Sequence, residues 1–578
     1  MQRWSAWILA AAATITAEPA LAQPFDRPAQ ERPPLPSYEE PVEARPELLL
    51  PELPELPELA PAAAGGPRVL VRRFDIEGST VFGEEDFDPL VARWIGREIS
   101  SEDLVAVRDA ITRLYLEHGY LNSGAVVPDQ DLADGVVVIR VVEGRLSRVE
   151  VSGTRFYRAS VLRRRVELGA SVPLDVTKLE ESLQILQQDP RIERVHARLR
   201  PGEAPGEAVL ELRVEESRRW LLELGADNWS NPAFGGLEGD FHARDENLLG
   251  FGDSLASRFR LADGIWRVDA GYDFPISARG TLLHIGGEIS DSEIVEKPFS
   301  ELDIETRYTS VRLGVEHPVY RTLQTQLRLG LVGDWRRART RICAFEDILG
   351  GCDPFAFPGS GANADDGKTT VAALRFTQEL VHRDLQQVIA ARSMLSVGLP
   401  VLGASNHDIP ASALGLGGFR NPDGQFVAWL VQLQWARRFE PWGLQAIFRV
   451  DAQLASDALP SLERFPVGGH LSVRGYRENQ IVRDQGVVTS LEVRIPVLPW
   501  EGRLGLFQLA PFADFGHATN RRNPTPDPEN LASVGVGLLW SLGPVDASVT
   551  WGHQLTKVDT SGMLQDDGVQ FRVGIRVF

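Results

Sequence analysis

The sequence predicts a transmembrane antiparallel β-barrel of about 16 strands, preceded by two small α+β domains. Three observations carry this. From about Arg219 to the last residue, segments of about ten residues alternate strictly between apolar and polar side chains, which is the period of a strand whose two faces meet different surroundings. Beyond the N-terminal leader, no stretch approaches the ~20 apolar residues of a membrane-spanning helix. Between Val69 and Val214 the order β-α-α-β-β occurs twice.

The chain opens Met1-Gln2-Arg3, continues with an apolar run from Trp4 to about Ala17, and reaches Ala20-Leu21-Ala22 before Gln23. A basic start, an apolar centre and an A-x-A site make residues 1–22 an export signal peptide. No Cys follows the cleavage site, which argues against a lipid anchor. Residues 23–67 are a Pro-rich linker, with Pro-Glu-Leu three times in Pro51–Leu59. Proline at every third position blocks helix and favours an extended form. Such a segment serves either as a spacer or as a strand that threads into a pore.

Residues 68–145 read as the first α+β domain. Val69–Glu77 is a strand ending at Gly78, and Glu84–Trp94 and Glu102–His118 are helices. The second helix sets Leu104, Val107, Ala110, Ile111, Leu114 and Tyr115 on one face. Strands follow at Ser123–Pro128 and Val136–Val142. Residues 146–217 repeat the plan: strand Leu146–Val151, helices Tyr157–Val166 and Asp175–Gln188, strands Arg191–Leu199 and Glu207–Val214. Each repeat makes a mixed three-stranded sheet with two helices, and its edge strands are templates for another extended chain.

Residues 218–578 carry the barrel pattern. In Ile265–Phe274, Trp266, Val268, Ala270, Tyr272 and Phe274 alternate with Arg267, Asp269, Gly271 and Asp273. In Leu444–Leu454, Ala446, Phe448, Val450 and Ala452 alternate with Gln445, Arg449, Asp451 and Gln453. Short turns such as Ala262-Asp263-Gly264 and long loops such as Arg336–Lys368 suggest short periplasmic turns and long external loops. At roughly 22 residues per strand and connection, the stretch accommodates about 16 strands around an aqueous lumen. The lumen would be lined by both signs of charge. A long loop, residues 456–486, joins two half-apolar strands and contains Val473-Arg474-Gly475-Tyr476. A loop of this length is functional or disordered.

The formal net charge of −20 argues against a nucleic-acid partner, since phosphate requires a positive footprint. Cys343 and Cys352 are the two cysteines. In an exported chain they read as a disulfide closing a small loop, with no metal site around them. His317, His382 and His407 have no catalytic motif about them. Gly415-Leu416-Gly417-Gly418 lacks the Lys-Ser/Thr of a phosphate loop. No cofactor is expected.

The constellation resembles the two-partner secretion transporters, the exporters of filamentous haemagglutinin and haemolysin, within the BamA-like outer-membrane superfamily. In the first α+β domain the resemblance rests on Gly119-Tyr120, Pro128, Gln130, Gly135 and Val142-Glu143-Gly144. At the start of the barrel it rests on Asp227-Asn228, Asn247-Leu248-Leu249-Gly250 and Gly252-Asp253. In the long loop it rests on Val473-Arg474-Gly475-Tyr476, and in a following strand on Phe512-Ala513-Asp514-Phe515-Gly516. The resemblance implies that the α+β repeats are POTRA domains in the periplasm and that the long loop folds back into the barrel. There Arg474 would meet Asp514, with Gly475, Tyr476, Phe512 and Gly516 around the pair. It also implies a secreted exoprotein as partner, bound in extended form, and insertion into the outer membrane by the barrel-assembly machinery. An insertase for other barrels and a diffusion porin are the alternatives. The chain departs from the family in having a Pro-rich N-terminus where a plug helix is usual. Phe578 also lies on the parity opposite to Phe571, Val573, Ile575 and Val577.

Overall fold

The computed structural model describes residues 47–49 and 68–577, apart from 133, 345–350, 358, 364, 406–420, 441–442, 499–503, 559 and 561. The expectations for the leader, for most of the Pro-rich residues and for Phe578 lie outside the described residues. The chain divides into two units. Among the described residues, one holds those within Val42–Arg219 together with Leu249–Gly252, and the other holds Trp220–Leu248 and the residues from Asp253 onward.

In the first unit, β1 (Glu47–Leu49) precedes the first α+β domain. That domain comprises β2 (Val69–Val71), β3 (Arg73–Glu77), α1 (Glu84–Val91), β4 (Arg97–Ile99), α2 (Ser101–Glu117), β5 (Gly124–Val126) and β6 (Val136–Val142). Helix α2 begins at a reciprocal cap. Ser100 Oγ accepts from the Asp103 amide, and the Asp103 carboxylate accepts from the Ser100 amide at 2.8 Å. Its buried stripe, Val107, Ile111 and Tyr115, repeats every four residues. Gly119 ends it at φ +85°, a conformation open to glycine. The sheet order is β3-β6-β5, with β3 parallel and β5 antiparallel to β6. The single strand expected over Val69–Glu77 is divided at Arg72, whose amide turns to Gly135 O at 2.7 Å. Its first part pairs with β4, a strand of three residues and too short to show alternation.

The second domain comprises β7 (Arg145–Ser152), α3 (Ala159–Glu167), α4 (Val176–Gln187), β8 (Ile192–Pro201) and β9 (Glu207–Glu216). Leu162, Val166, Leu179, Leu183, Leu210 and Leu212 are completely buried in its core. β7 runs parallel and β8 antiparallel to β9. The outer edge of β8 carries β1, added parallel with Glu47 opposite His196 and Leu49 opposite Arg198. Part of the Pro-rich linker is therefore a fourth strand of this sheet. The two domains are joined by Leu174 N to Gly144 O at 2.7 Å and by Asn122 Nδ2 to Gly206 O at 2.9 Å.

In the second unit the strands are β10 (Trp220–Asp227), β11 (Glu238–Asp245), β12 (Ser254–Ala262), β13 (Ile265–Pro275), β14 (Leu282–Glu293), β15 (Ile304–Arg321) and β16 (Thr325–Ile342). After the two-residue β17 (Asp353–Pro354) come β18 (Lys368–Arg383), β19 (Gln387–Gly398), β20 (Val427–Phe439) and β21 (Leu444–Ala455). β22 (Phe465–Val467) and β23 (Ile481–Arg483) form a small hairpin within the long loop. Then follow β24 (Gln485–Leu498), β25 (Leu506–Thr519), β26 (Asn530–Leu542), β27 (Val545–Gln554) and β28 (Val569–Arg576). Apart from β17, β22 and β23, these strands form a closed, antiparallel, 16-stranded barrel in which β28 pairs with β10.

Burial is inverted relative to a water-soluble domain. Leu224, Ile289, Leu313, Trp429, Leu538 and Val573 are exposed, whereas Arg260, Arg267, Arg375, Gln432, Asp451 and Asp514 are buried. Apolar side chains face outward and charges face the lumen, as lipid outside and water inside require. Two expectations about the connections change. The loop expected over Arg336–Lys368 is shorter, because β16 continues through Arg341 with charged residues on both faces. Ala262-Asp263-Gly264 lies at the same barrel end as the long loops: Gly264 N donates to Phe234 O, and Ala262 packs with Ile294, Ile304 and Phe357. Turn length alone does not reveal which end of the barrel a connection occupies.

Candidate functional site

The long loop turns into the barrel and is seated on its inner wall. Phe465, Val467, Val473, Tyr476 and Ile481 pack with Val488 of β24 and Ala518 of β25. Val488 is apolar yet inward, since it lies beneath the loop. Along β25, alternation brings Phe512, Asp514 and Gly516 to the lumen. Gly516 leaves the room that Val473 fills: a Cβ there would lie 2.9 Å from Val473 Cγ2.

Arg474 sits at the centre. Its Nε and Nη2 donate to the two oxygens of Asp514 at 2.8 and 2.9 Å, and its backbone amide donates to Oδ2 at 3.0 Å. Nη1 donates to Glu492 of β24, and Nη2 reaches Ser490 Oγ at 3.1 Å. The guanidinium lies 3.8 Å from the centroid of the Phe512 ring, within cation–π range. This is the planar, two-pronged recognition for which arginine is suited and lysine is not. An exposed ion pair contributes ~0–1 kcal/mol, but removing one partner of a buried pair costs ~3–5 kcal/mol. Asp514 is 4 % exposed, so the second figure governs.

The neighbouring residues fix the tip. Gly475 has φ +90°, and a Cβ on it would lie 2.8 Å from Gly552 O. The loop backbone therefore lies directly on the backbone of β27. Tyr476 is fully buried. Its hydroxyl is 2.8 Å from both Ala532 O and Thr556 O, and the Thr556 amide donates to it at 3.1 Å. The loop tip is thus held by one charge cluster, one glycine contact and one phenol.

Residues 69–144 match the family described as POTRA domain, ShlB-type. Residues 363–539, which hold the long loop and Asp514, match that of the haemolysin secretion/activation protein ShlB/FhaC/HecB. The chain is similar to the two-partner secretion transporters. Among its relatives is the outer membrane transporter CdiB of Escherichia coli O6:K15:H31, 26 % identical over 86 % of this chain and 81 % of the relative. The hemolysin transporter protein ShlB of Serratia marcescens is 28 % identical over 24 % of each chain. The fold is that of the solved CdiB from Escherichia coli, with a TM-score of 0.62 and 23 % identity over 91 % of this chain and 93 % of that one. BamA from Haemophilus ducreyi lacking POTRA domains 1–3 gives 0.51 and 15 % over 88 % of this chain and 100 % of that one.

The other motif residues of the transporter lie apart from the loop lock. In the first POTRA domain, the Glu143 carboxylate accepts from the Thr80 amide and hydroxyl, both at 2.6 Å, and closes the Gly78 turn. Gln130 bonds both ways to Val138. Gly144 N donates to Ser123 Oγ, and Tyr120 packs against the core with Phe82 and Tyr115. Pro128 O accepts from Gln130 Nε2 at 3.3 Å. These residues hold turns in place. Gly250 O accepts from Arg158 N at 2.9 Å, and a Cβ at Gly252 would meet the Tyr157 hydroxyl. Asp253 accepts from Tyr272 Oη at 2.9 Å, while the Asn247 amide donates to Asp245 Oδ1. Asp227 accepts from the Trp229 amide, and Asn228 pairs with β28. Cys343 and Cys352 are joined by a disulfide.

The sequence reading missed two further anchors of the loop. Near its start, Glu463 accepts from Arg375 at 2.7 and 3.1 Å, with Arg336 and Asp334 completing a buried four-charge cluster. Near its tip, Arg477 pairs with Asp566 and, at 2.7 Å, with Glu296. Inward parity on β24 marks Glu492 as a companion of Arg474. No local signal marks Glu463, because its partners lie 88 and more residues away.

Proposed function

We propose that this outer-membrane transporter captures an unfolded exoprotein of the haemagglutinin or haemolysin kind at its POTRA domains, in the periplasm, and passes it through the barrel in extended form. The observation that carries the reading is the seated loop: a closed 16-strand barrel holds its own polypeptide segment in the lumen by an Arg474–Asp514 lock. A diffusion pore does not require such a segment, nor two domains with strand-accepting edges. Edge addition is exemplified within the chain, where β1 extends the β8 edge. A second acceptor is β5, an edge strand beside a cleft of 760 Å³ lined by Leu104, Val105, Arg108, Leu116 and Val126. Backbone pairing supplies affinity there, and alternate side chains enter the cleft. The barrel-assembly machinery inserts the transporter.

The test is co-expression with candidate exoproteins of the same genome, assaying medium and cell surface. Export that requires both Arg474 and the POTRA domains supports the reading. Undiminished export in their absence, or loss of other barrels from the outer membrane on deletion, replaces it with that of an assembly factor.

A further inference from the structure

Among the described residues, the closure between first and last strands is the shortest ladder joining neighbours of the 16-stranded barrel, the two-residue β17 aside. β10 and β28 share five residue pairs, Glu223–Arg576 to Asp227–Arg572, against eight for β10–β11 and seven for β27–β28. Single backbone bonds extend it, Val577 N to Leu222 O and Asn228 N to Phe571 O. Past that point side chains take over. The Asn228 carboxamide behaves as one more peptide group: Oδ1 accepts from Phe571 N at 2.7 Å, and Nδ2 donates to Val569 O at 2.9 Å.

Gln565, 1 % exposed, continues the chain of bonds in both directions. Its Nε2 donates to Asn228 O at 2.5 Å and to Ser230 O at 2.7 Å. Its Oε1 accepts from the amide of Glu478, in the loop, at 2.9 Å. Asn231 Nδ2 reaches Glu478 O at 3.0 Å, the Trp229 ring stacks on His470 at 3.9 Å, and Gln570 Nε2 reaches Tyr476 O at 3.2 Å. The end of the first strand, the last hairpin and the loop tip therefore meet at one carboxamide.

We propose that Gln565 is a positioning residue that couples loop seating to barrel closure: a seated loop holds the β10–β28 seam shut, and a released loop frees it. This gives Asp227-Asn228 a task, namely to present the end of β10 to that clasp. The chemistry requires a carboxamide, which donates on one side and accepts on the other. Gln565→Glu keeps the acceptor for Glu478 but faces two carbonyl oxygens with a carboxylate. Gln565→Met keeps the shape and removes both functions. The coupling belongs to the barrel and requires no client.

The experiment places spin labels at Leu224 and Ile575, outward-facing partners across the seam, in the intact transporter reconstituted in phospholipid vesicles. Labels at Leu538 and Val549, partners across β26–β27, serve as reference. Gln565→Glu and Arg474→Ala should each add a population longer by ~5 Å or more, one strand spacing, at the seam pair alone. The double variant should add nothing beyond the larger single effect. If Gln565→Glu does not assemble, Gln565→Met should give the same shift. An unchanged seam in either variant, equal broadening of both pairs, or additive effects in the double variant would overturn the coupling.

Discussion

Glu463, in the loop, and Arg375, on the barrel wall, face each other through two hydrogen bonds of 2.7 and 3.1 Å, each residue nearly sealed from solvent. Together with Arg474–Asp514, this pair anchors the loop at two points 11 residues apart. Glu463→Ala leaves Arg375 and Arg336 with Asp334 as their remaining carboxylate, which should cost ~3–5 kcal/mol of loop seating. The exchange Glu463→Arg with Arg375→Glu should recover part of it. Limited proteolysis of the loop in folded barrels measures both. Equal protection in wild type and Glu463→Ala would remove this anchor.

Arg474→Lys should fail almost as fully as Arg474→Ala. A lysine carries the charge but cannot span both Asp514 oxygens while reaching Glu492 and Ser490. The barrel should still migrate as a folded species in unheated gels while export falls. Normal export by the lysine variant would reduce the lock to a point charge.

Gly475→Ala leaves every charge in place, yet introduces a Cβ at φ +90° against the Gly552 carbonyl. The conformation costs about 1–2 kcal/mol, and the backbone opposite cannot move aside. Loop protection and export should drop together, without change in barrel assembly. An alanine variant that exports normally would show that the tip does not need this contact.

In the second POTRA domain, Asp189 lies between Arg165 at 2.5 Å and Arg191 at 3.2 Å and accepts from Tyr157 Oη. Burial pushes its carboxyl upward, but the two guanidinium groups outweigh burial and hold it at about 2, below the ordinary 3.8. A depressed carboxylate stabilises the fold above its unfolded value. That contribution, about 2 kcal/mol, is lost as pH falls from about 4 towards 2. Hydrogen exchange at Leu162 and Val166 in the intact protein, corrected for intrinsic rate, should show this loss. In Asp189→Asn it should be absent, and a persistent loss there would assign it to other groups.

Pro46 and Pro51 flank the linker strand, and proline has no amide to donate. β1 therefore covers three residues of the ten-residue β8. Replacing Glu47, Leu48 and Leu49 by proline should raise the affinity of an alternating ten-residue peptide roughly tenfold, since a few backbone bonds of ~1 kcal/mol each no longer compete. Fluorescence anisotropy of a labelled peptide measures this. Equal affinities would place the acceptor elsewhere, for example at β5, an edge strand beside a cleft.

Much of this architecture was legible because it rests on periodicity. A 16-strand barrel writes period two into every strand, and α2 writes its buried stripe as Val107, Ile111 and Tyr115. The meeting of Arg474 with Asp514 followed from a family motif, while the parity of β25 placed Phe512, Asp514 and Gly516 on one face. What stayed hidden has no period. β4 is three residues long. The partners of Glu463 and Gln565 come from remote strands or loops, and nothing near them in sequence distinguishes them from other lumen polar groups. The end of the barrel at which Ala262-Asp263-Gly264 turns depends on counting every strand before it.

The seat beneath Gly475 consists of backbone: Gly552 opposes it, and a Cβ on Gly552 would lie 2.8 Å from Gly475 Cα. A surface without side chains has no rotamers to rearrange when its occupant leaves, and none to reorder when it returns. Leaving or re-forming this contact therefore requires no side-chain rearrangement on either face, and the choice of register at the tip falls to the polar anchors around it.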